Sequence, residues 1–174
     1  PYVGQQMILS DRTASLSSAE ILEAFNKANA NGFLEIRPNN VIGELSFPKE
    51  HVEETVTIAQ DLLSEPQFSE SWFNRIKGEL RKGLQKNVQM SAHIAFDKAR
   101  SAVIEQRSLV DFLGLNNIEN LDNVSLQHLK DWHLTTFTRQ PEAIVVTGAI
   151  SSTDAGRVVD RLLANLPADR NITL

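Results

Sequence analysis

The sequence contains no cysteine, which excludes disulfides and thiolate metal sites. It leaves the compartment open, because cysteine-free chains suit the cytosol and the bacterial periplasm alike. No run of 18 apolar residues occurs, so no segment reads as a membrane-spanning helix. No basic cluster offsets the net charge of −5 and the pI near 5.4, which argues against general nucleic-acid binding. Nucleophile-elbow, Ser-His-Asp and Cys-His patterns are missing, as are internal repeats, low-complexity stretches and charge blocks. The four histidines, His51, His93, His128 and His133, contain no i,i+4 pair of the kind that chelates a metal on one helix face. His128 and His133 are five apart, which turns them about 140° from one another on a helix. The expectation is therefore no metal site in this chain. The chain opens at Pro1 without Met or a visible signal peptide and reads as a fragment, for which a removed leader stays open.

What is present is a globular composition. Of 174 residues, 41% are hydrophobic, enough for one domain with a sizeable core. Ser17 and Glu20 form a capping box, with Ile21, Leu22, Phe25 and Ala28 on one helical face and Asn31-Gly32 as the stop. Phe33–Arg37 and Val41–Phe47 read as two strands around a Pro38-Asn39-Asn40 turn. Pro48 suits the first turn of a helix with Glu50, Glu53 and Glu54 near its positive end. Val52, Val56, Ala59 and Leu63 form its stripe and Glu65-Pro66 its end. Ser69 opens a long helix with Trp72, Phe73, Ile76, Leu80 and Leu84 on one face. Helical pattern continues past a break near Met90 through Ala95, Ala99, Ala102 and Val103, and Asn116-Asn117 marks a loop.

Ser125 caps a helix with Leu126, Leu129, Trp132 and Phe137 inward. Ala143–Gly148 is nearly all apolar and reads as a third strand, central in a sheet. Ser151–Thr153 caps a last helix bearing Val158, Val159, Leu162 and Leu163, and Pro167 ends it. The order predicts an α+β class, one mixed or antiparallel sheet with helices packed on it. The expected organisation is a single domain over residues 1–167 and a polar linker stub over 168–174.

Several local patterns take a plain reading. Val146-Thr147-Gly148 lacks the glycine spacing and Lys-Ser/Thr pair of a phosphate loop and reads as a strand-to-helix turn. Trp72/Phe73 and Trp132/Phe137 sit at helical spacing and read as core. His51 is expected exposed in a first helical turn, and His93 and His128 on polar helix faces. His133, beside Trp132, is expected partly buried and hydrogen-bonded. Glu79 reads as a solvated partner of Arg75 or Lys82.

The segment Tyr2-Val3-Gly4-Gln5-Gln6, then Met7, a turn and a helix at Ser17, resembles the start of a pitrilysin/insulinase-like zinc peptidase domain. In that family the first helix carries H-x-x-E-H, with two zinc ligands and a general base. The resemblance extends through the hairpin, the Pro66-Gln67-Phe68 turn, the long helix from Ser69, and a late helix, apolar strand, helix and Leu166-Pro167 ending. A distal Glu ligand follows the first His by about eighty residues in the family. Gly83 lies 81 positions after Tyr2.

The four positions with metal or base duties therefore hold Tyr2, Gln5, Gln6 and Gly83. None is an ordinary zinc ligand or a general base at neutral pH. The resemblance implies a non-catalytic half of a clam-shell zinc metallopeptidase, starting within its first helix and without two N-terminal strands. It would hold no cofactor of its own. Zinc would sit in a separate catalytic half or subunit, and peptide substrate would meet Val41, Ile42, Gly43, Glu44 and Leu45. Alternatives are an assembly subunit of the same fold, like the respiratory core proteins, or an acidic helical interaction domain. The resemblance allows the periplasm or cytoplasm of a bacterium, or a mitochondrion.

Overall fold

A computed structural model of the chain describes residues 2–37, 40–103 and 118–168. The expected Pro38-Asn39 turn, the Asn116-Asn117 loop and nearly all of the linker stub lie outside them. The chain opens with α1 (Tyr2–Ser10) and α2 (Ser18–Lys27), followed by the hairpin strands β1 (Asn31–Ile36) and β2 (Val41–Ser46). A 3-10 turn at Lys49–His51 leads into α3 (Val52–Ser64), α4 (Glu70–Asn87) and α5 (Ser91–Val103). Three further helices are α6 (Ile118–Asp122), α7 (Leu126–Thr136) and α8 (Ser152–Leu163). The class is α+β, with one two-stranded antiparallel sheet among the described residues.

Local chemistry sets most boundaries. Ser17 accepts from the Glu20 amide while Glu20 accepts from the Ser17 amide, a complete capping box at the start of α2. These bonds hold the Glu20 carboxyl below its usual range, the Ser17 hydroxyl contributing most. The stop of α2 comes earlier than expected. Asn29 takes a left-handed φ of 48°, the Asn29 amide donates to Asn26 O and the Ala30 amide to Phe25 O. That is a Schellman motif with asparagine in the place glycine usually takes, so Asn31 is free to open β1. The expected inward face of α2 is corrected at one position, since Leu22 is exposed.

The α3 stripe is wider than the sequence pattern suggests. Thr55, Val56, Ile58, Ala59 and Leu62 are buried, while Val52 and Leu63 are half-buried. Ile58 and Leu62 form a small cluster with Ile21 of α2, and α3 also packs against α1 and α8. The main core gathers Val3, Met7 and Ile8 of α1, Leu34 of β1, Phe68, Phe73 and Ile76 around α4, Leu121 and Leu129. Asp11 fixes its top: the buried carboxylate accepts from the Ser69 amide at 2.6 Å, the Ser69 hydroxyl at 2.8 Å and the Arg12 amide at 2.9 Å. It thereby ties the end of α1 to the first turn of α4. Midway along α4, Lys77 Nζ donates to the Asp122 and Val124 carbonyls at 2.8 Å each, closing the C-terminus of α6.

The expected third strand is corrected. Ala143–Gly148 forms no strand, and residues 141–150 are all exposed. A strand exists only as one member of a ladder, and no described strand lies beside this segment. Its apolar composition is right for a buried strand, but the neighbour that would make it one is not among the described residues.

Candidate functional site

The positions matching the peptidase motif lie on two helices that pack together. Tyr2, Gln5 and Gln6 stand on α1, Gly83 stands on α4, and α1 packs against α4, β1 and α7. Tyr2 and Gln6 are exposed and Gln5 is half-buried. Gln5 Nε2 donates to the Leu34 carbonyl of β1. Because that carbonyl can only accept, a carboxylate at position 5 would set acceptor against acceptor. Gln5, which the resemblance sets at the general-base position, is thus a strut between the first helix and the hairpin. Gly83 is exposed, and a side chain there would meet nothing within 4 Å. Its missing carboxylate is not explained by crowding.

Gly4, inside the same five-residue segment, has a packing reason to be glycine. A Cβ at this position would overlap the Trp132 ring of α7. Trp132 in turn meets Phe137 edge-on, with ring centroids 5.6 Å apart. Glu79 pairs with Arg75 at 3.1 Å, both side chains exposed. Such a solvated i,i+4 pair stabilises a helix only slightly.

The histidines are dispersed. His51 ends the 3-10 turn and is half-buried, and His93 is half-buried on α5. His128 is exposed and serves its own helix: Nδ1 accepts from the Ser125 amide, and Ser125 Oγ accepts from the His128 amide, each at 3.3 Å. His133 is buried, stacked on Phe137 at 5.2 Å, and its Nε2–H donates to the Leu63 carbonyl at 2.6 Å. Burial pushes its pKa down, opposed in part by that hydrogen bond. Among the described residues, no group of three or more His, Asp and Glu side chains could hold a metal ion. No helix there is long and apolar enough to cross a membrane.

A groove of about 1180 Å³ runs beside the hairpin. Both strands line it, together with the ends of α3 and α8 and the irregular segment Ala143–Val145. Val41, Ile42, Gly43, Glu44 and Leu45 all lie on this groove. It does not include Tyr2, Gln5, Gln6 or Gly83, so the two sets of sequence-predicted residues are not brought into one pocket.

No family model matches the sequence, and no curated protein matches it. A solved structure does: the inactive domain of a peptidase M16 from Pseudomonas fluorescens, with a TM-score of 0.84 over 98% of this chain at 16% identity. The fold is that of an inactive M16 peptidase domain. The chain spans 42% of that solved chain. At this identity the likeness is one of architecture, and it agrees with the resemblance carried by residues 2–6, the hairpin and the long helix.

Sequence reasoning missed the residues that hold this M16-like architecture together around its first helix. Asp11 gave no signal, because its partner Ser69 is 58 positions away. Gly4 could have been noticed as a glycine inside a helix, where it costs stability unless something packs on it. The donor role of Gln5 toward the sheet has no signal in the sequence, since Leu34 lies 29 positions away.

Proposed function

We propose that this chain is a non-catalytic domain of a zinc metallopeptidase. It closes the chamber and helps hold peptide substrate while a separate zinc-bearing half or subunit performs the hydrolysis. The observation that carries this reading is the Gln5 bond to Leu34 within an M16-like fold. An amide there is suited to bracing the hairpin and unsuited to accepting a proton from water. Tyr2, Gln6 and Gly83 supply none of the usual zinc ligands at their positions. Val41, Ile42, Gly43, Glu44 and Leu45 are the proposed peptide contacts, lying along the groove where the β2 backbone pairs with an extended peptide by strand addition.

The test is a mixed cleavage assay. The chain serves as bait to recover a zinc-bearing partner from its host, and an unstructured peptide is the substrate. The expected result is hydrolysis that neither piece shows alone, with no stoichiometric zinc in the dialysed chain. A partner fully active without this chain overturns the chamber role in favour of an assembly subunit. One tightly held zinc per chain overturns the non-catalytic reading itself. Tyr2→His, Gln5→Glu, Gln6→His and Gly83→Glu together are expected to give only weak zinc binding, because no supporting hydrogen bonds orient the new ligands.

A further inference from the structure

The apolar side chains of α4 pack on the main core, but α5, which follows it, has no buried residue and packs extensively on none of the other described elements. Along α5, Ala92, Phe96, Ala99 and Val103 recur at alternating spacings of four and three, the pattern of a coiled-coil seam. All four are exposed, Phe96 at 66% and Val103 at 81%. One edge of this seam is cationic. Arg100 lies there, its side chain 14% exposed, held by Asp97 at 2.8 Å and set against the Phe96 ring. Its Nε is buried and meets no acceptor among the described residues. His93 stands two turns earlier on the same edge. The stretch leading into the seam is of one sign: residues 80–96 carry Arg81, Lys82 and Lys86 and no Asp or Glu, in a chain of net charge −5. Arg81 is spent on Asp122, whereas Lys82 and Lys86 are exposed on α4.

We infer that the exposed seam of α5 is a docking site for an acidic amphipathic helix of a partner protein, laid along Ala92, Phe96, Ala99 and Val103 with a carboxylate against Arg100. The spacing selects a helix, because a narrow four-three seam is matched by the a and d positions of another helix. A bilayer is a poorer match. Helices that lie on membranes carry a broad face of bulky apolar side chains, whereas two of these four positions are alanine, suited to close helix packing. A second copy in antiparallel pairing would set Arg100 and His93 against the same cationic edge. The acid-free approach and the unmet Arg100 Nε both call for carboxylates on the partner. Four seam positions make a small contact, so the complex is weak and transient. The inference makes no use of the groove and does not need the chamber role.

The chain has no cysteine, so Ala99→Cys places a single thiol in the seam. The probe is a synthetic peptide of about three heptads with leucine at a and d and glutamate at e and g. Iodoacetamide should label the thiol quickly in the chain alone and about fivefold more slowly, or slower still, under saturating peptide. A peptide with lysine in place of glutamate should bind about tenfold more weakly. Phe96→Ser, at an exposed position, should weaken the glutamate peptide by about tenfold without lowering Tm, and Arg100→Gln by about fivefold. Val145→Ser, on the groove, should leave binding within about twofold of the parent. Equal binding of the lysine peptide makes the contact unspecific and overturns the inference, and binding untouched by Phe96→Ser places it elsewhere and does the same. No binding of either peptide also overturns it. Tighter binding to phosphatidylglycerol vesicles than to the peptide, lost in Phe96→Ser, makes the seam a membrane contact instead. A thiol slow to label in the chain alone overturns the inference too: if concentration-dependent, a second copy covers the seam, and if not, the chain covers it itself. None of these measurements involves zinc or cleavage, so the two readings fail separately.

Discussion

Around Met7, Ile8 and Leu129, α1, α4 and α7 close on one another until almost none of these side chains meets water. Across the groove, Ile144, Val145, Val146 and Ile150 are as apolar as that core and stay exposed, and α8 keeps its stripe only half covered. The difference is not one of hydrophobicity. It is one of partners: the first region has helices whose backbones are internally satisfied, so side-chain packing alone completes it. The second offers irregular chain, which needs partners for its backbone as well as for its side chains. An apolar segment is thus only as buried as its backbone allows.

The largest effect that would sharpen this contrast is a pair of truncations. Leu129→Ala should cost about 2–5 kcal/mol by opening a cavity in the closed region. Val145→Ser, at a residue 84% exposed, should change stability by less than about 0.5 kcal/mol. Urea unfolding of both variants measures the difference, and equal losses would erase the distinction between the two regions.

Next comes the tie at the top of the core. Asp11→Ala strands the Ser69 amide and hydroxyl and is expected to cost about 2–3 kcal/mol. Asp11→Asn should recover part of that, since one amide oxygen can still accept. Thermal unfolding that leaves Asp11→Ala at the parent Tm would show that α4 does not depend on this cap.

Gly4→Ala tests close packing directly. The added methyl collides with Trp132 and should cost about 1–3 kcal/mol. In a Trp132→Leu background the same substitution should cost much less, because the colliding ring is gone. Purely additive losses in the double-mutant cycle would mean that the two residues do not compete for one space.

The smallest effect is pH-dependent. His133 has a folded-state pKa below its ordinary value, so the fold favours the neutral ring. Its contribution is fully present above about pH 6.5 and is lost as pH falls through that value toward the folded pKa, because the unfolded chain takes up a proton that the folded chain resists. Stability should decline over that window in the parent chain and decline less in His133→Phe. An identical pH profile in the two would remove His133 from the account.

Sequence by itself determined what closes over three or four residues. The Ser17–Glu20 capping box, the break near Met90 and the Ser125 and Ser151 caps all stand as expected, since each rests on contacts within one helical turn; α4 also starts after Ser69 as expected, but Ser69 is held by distant Asp11. The hairpin was legible too, because alternation and a short turn leave little choice of register.

What only the tertiary structure decided involves partners far away in the chain. Gln5 meets Leu34 at a separation of 29 residues and His133 meets Leu63 at a separation of 70. Gly4 is shaped by Trp132, and Ala143–Gly148 has no neighbouring strand among the described residues to make it one. The motif positions show the same division. Their residue types are legible in sequence, whereas the bond from Gln5 to Leu34 became visible only once β1 stood beside α1. A helix carries its hydrogen-bond partners within itself, while a strand or a long-range strut is defined by what the rest of the chain brings to it.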